Sequence, residues 1–195
     1  TAKINLALNG PLEFAGRPGG VFEAVRTGEK LDDLERAFDP VKYGEFSPRP
    51  ILDIRVPSLS DPSLAPRGHH VVSILAHFAP FHLRGGWSEP RKKSFGDHVV
   101  QTLALYAPSL QERIVGGEVL SPEDLEQRYG LTEGHIHHGE HGLDQMFSLR
   151  PALSCSRHAT PLPGLYLCGS GTHPGGGITG APGDLAAAAV VSNGG

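Results

Sequence analysis

The stretch from residue 165 to residue 184, LYLCGSGTHPGGGITGAPGD, contains seven glycines, and few folds tolerate such a segment. Glycine gives up more backbone entropy on folding than any other residue, so such a run persists only where the chain must turn sharply or approach another group closely. An apolar start, Leu165 to Leu167, and an alanine-rich sequel, APGDLAAAAVV, frame it as a strand, a bare loop and a helix. The first turn of that helix offers N–H groups without intrahelical partners and the positive end of a dipole. Such an end is a seat for an electron-rich or anionic ligand atom.

Three glycine motifs can be tested against this loop. Gly175, Gly177 and Gly180 satisfy G-x-G-x-x-G letter by letter. That fingerprint needs a strand directly before it, a βαβ unit around it and an acidic residue about 20 positions later, none of which the residues here supply. A phosphate-binding P-loop needs Lys and then Ser or Thr after its last glycine, whereas Ala181 and Pro182 follow Gly180. Ser170 invites a nucleophile elbow, but Cys168 and Thr172 stand where that motif requires glycine.

Composition narrows the class. The chain has 195 residues, a net charge of −4 and 38% hydrophobic residues, enough for one good core or two small ones. No basic stripe suggests nucleic acid, and no apolar run reaches the roughly 18 residues that would span a bilayer. Cys155 and Cys168 lie in unlike contexts without a metal-ligand pattern, which points to reduced thiols and a cytoplasmic protein. Glycine and proline make up 43 of the 195 residues, so loops are expected to be many.

Along the chain, AKINLAL (residues 2–8) alternates Ile4, Leu6 and Leu8 with more polar residues, the period of a half-buried strand. EKLDDLERAF spaces Leu31, Leu34 and Phe38 as a short amphipathic helix. ILDIRVP and HVVSILAHFAP read as further strands. SFGDHVVQTLALYAP carries Phe95, Val99, Leu103 and Tyr106 as the buried stripe of a helix that Pro108 ends. SPEDLEQRYG offers Ser121 as cap, Pro122 for the first helical position, Glu123 and Asp124 near the positive end and Gly130 for the exit. Strands and helices mix without a βαβ rhythm, so the fold class expected is α+β, a mixed sheet with flanking helices.

His135, His137, His138 and His141 fall within seven residues beside Glu140. In an extended chain His135 and His137 share one face and His138 takes the other, so only a bent chain could gather three ligands around zinc. No metal site is expected. Phe78, Phe81 and Trp87 could line an apolar channel or belong to the core.

Two stretches, GLYLCGSGTHPGGGITGAPG and the preceding GHIHHGEHGLDQMFSLRP, resemble the C-terminal portion of phytoene-desaturase-like, FAD-dependent oxidoreductases, nearest the pyridine nucleotide-disulphide oxidoreductase domain-containing group. Weaker likeness runs back through PSLSDPSLAPRGHHVVSILAHFAPF and YAPSLQERIVGGEVLSPEDLEQRYGL to AKINLAL, and so covers nearly the whole chain.

The resemblance implies that residues 1–160 are a substrate-domain-like α+β region. It implies that residues 161–195 are the strand, loop and helix that return to the FAD-binding domain, whose N-terminal dinucleotide-binding half would lie outside these residues. Gly169, Ser170, Gly171 and Thr172 would then lie along the ribityl chain of FAD, and Gly177, Ile178, Thr179, Gly180 and Ala181 would approach the ring. His138, Asp144, Gln145 and Arg150 would line the flavin or substrate side, although Asp144 and Arg150 could equally form a structural ion pair.

The implied chemistry is hydride removal from a hydrophobic small molecule to FAD in the intact protein, with this chain alone inactive and retaining no FAD. Catalytic residues, substrate identity and any homo-oligomer stay open. The alternative is a non-catalytic binding or assembly domain that kept the fold without the cofactor.

Overall fold

The computed structural model describes residues 1–16, 19–137, 139 and 141–193. The chain divides into two compact units, Thr1–Gly134 and His135–Gly195. Among the described residues the first holds five strands, β1 (Ala2–Leu8), β2 (Ala24–Arg26), β3 (Leu52–Arg55), β4 (His70–Ala76) and β5 (Ile114–Leu120). Its α-helices among the described residues are α1 (Leu31–Phe38), α2 (Glu89–Ala104), α3 (Leu110–Arg113) and α4 (Pro122–Tyr129). The second is mostly loop and short 3-10 turns and ends in α5 (Ala181–Asn193).

The strands form one sheet in the order β2-β3-β4-β1-β5, and every pair is antiparallel. The α+β class is as expected, but the pairing is not mixed. Parallel neighbours need a crossover of a dozen residues or more, and here each neighbour runs back along the one before it. β1 lies second from the edge, paired with β4 from Ala2↔Ala76 to Leu8↔His70 and with β5 on its other side.

Alternation sorts the sheet into two faces. Ile4, Leu6 and Leu8 of β1, Leu52 and Ile54 of β3, and Val72, Ile74 and Ala76 of β4 join one buried cluster with Phe95, Val99 and Leu103 of α2. Gly96 of α2 explains how closely helix and sheet meet, since a Cβ there would lie 2.7 Å from Val119 Cγ2 of β5. Trp87 belongs to this core rather than to a channel. It is 6% exposed, packs against Phe46 and Phe95, and its indole N–H donates to the Pro80 carbonyl at 2.9 Å. Phe78 is partly buried and meets Phe38 edge to face.

α2 starts at Glu89, earlier than its apolar stripe indicates, because its first turns are polar and Pro90 suits a helix start. Tyr106 falls beyond its end and is partly exposed. α4 is capped as its sequence foretold: Ser121 Oγ accepts from the Asp124 N–H, the Asp124 carboxylate accepts from the Ser121 N–H, and Gly130 exits in the left-handed region.

Asp124 also binds Lys92 of α2 at 2.8 Å. Burial by itself would raise the Asp124 pKa, but the bonds from Lys92 and Ser121 outweigh it and hold the carboxyl below its ordinary value. The bond to Asp124 raises the Lys92 pKa. A carboxyl depressed in the folded state stabilises above its unfolded pKa of about 4 and loses that contribution as pH falls through the folded value.

Asp124→Asn is therefore expected to cost about 1 kcal/mol of stability near neutral pH, the scale of a lost cap. In denaturant titrations the deficit should shrink as pH falls below about 4. An equal deficit at pH 2 and pH 7 would show that the carboxylate charge plays no part.

Candidate functional site

The candidate residues lie in the second unit. His158 is buried, with a left-handed φ of 70°, and its Nδ1–H donates to the Leu167 carbonyl at 3.0 Å. The Leu167 N–H returns a bond to the His158 carbonyl at 2.8 Å, and Thr160 N–H donates to Leu165 O. The strand expected over Leu165–Leu167 is thus reduced to a single antiparallel bridge, Ala159↔Tyr166. Its partner segment is short, and Pro161 and Pro163, which lack N–H donors, turn the chain before a longer ladder can form.

Past Cys168 the loop is pinned at its start. Thr172 is buried, and both its N–H and its hydroxyl donate to the Gly169 carbonyl, at 3.0 and 2.9 Å. Arg150 is 2% exposed, and its Nη2 donates to the Ser170 carbonyl at 2.8 Å. The stretch from Gly169 to Thr172 is therefore held from within by Thr172 and from outside by Arg150. Arg150 thus buttresses the loop, and the ion pair with Asp144 does not form. Asp144 is exposed in a 3-10 turn, Leu143–Gln145, and Gln145 donates to its carbonyl. Among the described residues neither Asp144 nor Gln145 bonds to the glycine loop. His138 and Glu140 lie outside the described residues.

The histidine-rich stretch meets the middle of the loop. Gly175, at a φ of 104°, lies directly against the His141 ring, so any Cβ there would overlap the imidazole. His135, His137, Gly139 and His141 line a cleft of about 400 Å³ with Gly176 and Gly177. His135 Nδ1 accepts from the His137 N–H at 3.2 Å. Among the described residues no group of three or more His, Cys, Asp or Glu is placed to hold a metal ion.

The start of α5 differs from the sequence expectation. The Ala181 N–H donates to Thr179 Oγ1 at 3.2 Å, and the N–H groups of Gly183 and Asp184 donate to the Gly180 carbonyl at 3.0 and 3.1 Å. Pro182 has no N–H to offer. The donors are engaged locally, so a ligand here would meet the dipole rather than free N–H groups. Ile178 is fully exposed beside this turn.

The glycines sort by cause. Gly169, Gly175, Gly177 and Gly180 take positive φ values, which side chains rarely adopt. Gly171 and Gly183 do not, and a Cβ on either would meet nothing within 4 Å. Neither backbone strain nor packing among the described residues calls for glycine at those two positions.

The chain is 44% identical over 156 residues to pyridine nucleotide-disulfide oxidoreductase domain-containing protein 2 of Rattus norvegicus. That match covers 79% of this chain and 27% of the rat protein. It is 29% identical over 183 residues to a component of the limonene dehydrogenase of Castellaniella defragrans, covering 85% of this chain and 31% of that one. A 4,4'-diapophytoene desaturase of Staphylococcus aureus is 28% identical over 190 residues, with 91% of this chain and 36% of the desaturase covered.

These proteins are homologues of this chain. The likeness expected from the glycine-rich end and the stretch before it is borne out. The chain spans roughly a quarter to a third of the length of these relatives. No family model matches it. Among the described residues no helix is long and apolar enough to cross a membrane.

Arg150→Met keeps the bulk of the side chain but leaves the half-buried Ser170 carbonyl without this donor, a loss of about 1 kcal/mol. Hydrogen exchange should show lower protection at the Thr172 amide and little change in β1 and β4. Unchanged protection at Thr172 would show that Arg150 does not brace the loop.

Proposed function

We propose that this chain supplies the flavin-facing C-terminal portion of an FAD-dependent oxidoreductase that removes hydride from a hydrophobic small molecule. The observation behind the reading is the pair of glycines, Gly171 and Gly183, for which the described residues give neither strain nor packing as a cause. Gly183 stands in the first turn of α5, where glycine weakens a helix by up to about 1 kcal/mol relative to alanine. Gly171 sits in a pinned turn whose outer side is open. A group lying against the backbone from outside accounts for both, and a flat cofactor along the loop is such a group.

One homologue is named for a limonene dehydrogenase and another as a 4,4'-diapophytoene desaturase. FAD, when bound, supplies the two-electron acceptor for that chemistry.

On this reading Gly169, Ser170, Gly171 and Thr172 hold one part of the cofactor, positioned by Arg150. Gly177, Ile178, Thr179, Gly180 and Ala181 hold the other, with the positive end of α5 favouring electron-rich atoms beside it. Asp144 and Gln145 would act at a distance from the loop, at the substrate side.

α5 agrees with the proposal that residues 161–195 belong to a cofactor-binding domain completed by other chain segments. Leu185, Val190 and Val191 are all exposed and Ala186 is buried, so the helix is apolar around its whole circumference. Helices of that kind are covered in larger proteins.

Gly180→Val is a poor probe, since its φ of 72° strains any side chain whether or not a ligand is present. Gly171→Val and Gly183→Ala separate the causes. In this chain alone, Gly183→Ala should raise stability by about 0.5–1 kcal/mol, and Gly171→Val should leave it near that of the parent. In the full-length protein both should weaken FAD retention, Gly171→Val by at least about tenfold, read from flavin absorbance after gel filtration. Full flavin occupancy in both variants would overturn the reading and leave a binding or assembly domain in its place.

A further inference from the structure

The face of the sheet opposite the core carries a second cleft, and it belongs to the first unit alone. Its volume is about 600 Å³, and Lys3, Asp53, Arg55 and Ser73 line it, with Ala24 and Leu75 as the apolar residues of this face. The strand register places these groups together. Ser73 of β4 lies opposite Asn5 of β1 on one side and Arg55 of β3 on the other, while Leu75 lies between Lys3 and Asp53.

The charges on this face do not balance. Asp53 is engaged twice, by Arg26 at 3.0 Å and by His77 at 2.7 Å. Glu118 of β5, which lies opposite Asn5, is engaged by Arg128 of α4 at 2.7 Å. Lys3 is half-buried and donates to the Ser73 hydroxyl. Among the described residues no carboxylate lies within ion-pair distance of Lys3 or Arg55.

We propose that this cleft binds an aliphatic carboxylate, with its acid group between Lys3, Ser73 and Arg55 and its hydrocarbon part along Ala24 and Leu75. Two cations without counterions ask for an anion, and a guanidinium beside an ammonium and a hydroxyl suits the two oxygens of a carboxylate. The apolar walls select a tail over a small inorganic ion, since such walls add affinity in proportion to the apolar area they cover. Burial lowers the Lys3 pKa, and a carboxylate in the cleft would offset that desolvation. The site stands on the first unit and does not depend on the flavin reading.

Calorimetric titration of the purified chain with sodium octanoate, octanamide and inorganic phosphate tests the proposal. Octanoate should bind once per chain, and octanamide and phosphate at least about tenfold more weakly. Lys3→Met should weaken octanoate binding by about tenfold or more, and Lys3→Arg should restore most of it. Arg55→Gln, at an exposed position, gives a second reading should Lys3→Met disturb the fold, and is expected to weaken binding several-fold. The proposal is overturned if octanoate binds no better than octanamide, if phosphate binds as tightly as octanoate, or if Arg55→Gln and a folded Lys3→Met both bind like the parent chain.

Discussion

The double pairing of β1 governs the first unit. Seven residues of β1 bond to β4 on one side and most of them to β5 on the other, so the sheet cannot form until segments more than 60 residues apart in the chain come together. Such non-local contacts carry a loop-closure cost that only later contacts offset. The strict alternation of β1 is what makes the outcome unique. A slip of one residue would turn Ile4, Leu6 and Leu8 to solvent and Lys3 into the core.

That constraint shows why some of the structure could be read from sequence and some could not. β1, β3, β4 and α4 lie where periodicity or capping residues announced them, because in each the local pattern and the tertiary packing agree. α1 forms where its spacing placed it, but Leu31, Leu34 and Phe38 are exposed and Ala37 is its buried residue. β5 carries Gly116 and Gly117 at its centre, and glycine is depleted in strands. It forms because β1 offers it a partner, and nothing local announces it. β2 is three residues long and has no pattern to read.

In the second unit the sequence marked the glycine-rich segment but not its internal mechanics. The glycine run was visible, yet periodicity could not show that the imidazole of His158 would brace Leu167, or that His141 would lie against Gly175. Left-handed histidines have no sequence signature. Tight turns marked by Pro161, Pro163 and Gly164 were the available hint. Arg150 and Asp144 are close enough in sequence to suggest an ion pair, but the guanidinium goes to a backbone carbonyl instead. Only the backbone's path decides between such partners.

The two margins of the sheet are unequal, and this bears on how the protein behaves when crowded. β2 offers three residues at one margin, too few to template another strand. β5 offers seven at the other, with its outer backbone unpaired among the described residues. A long free margin invites a neighbouring chain to add a strand, the first step of ordered aggregation. Here the register slip between Ala7 and Leu8 leaves Val115 out of step with β1. Slips of this kind bend a strand and sharpen its twist. The two central glycines lower the strand propensity of the same segment. The margin most able to recruit a second molecule is thus a poor mould for one, and the irregularity in β5 serves as a safeguard of solubility.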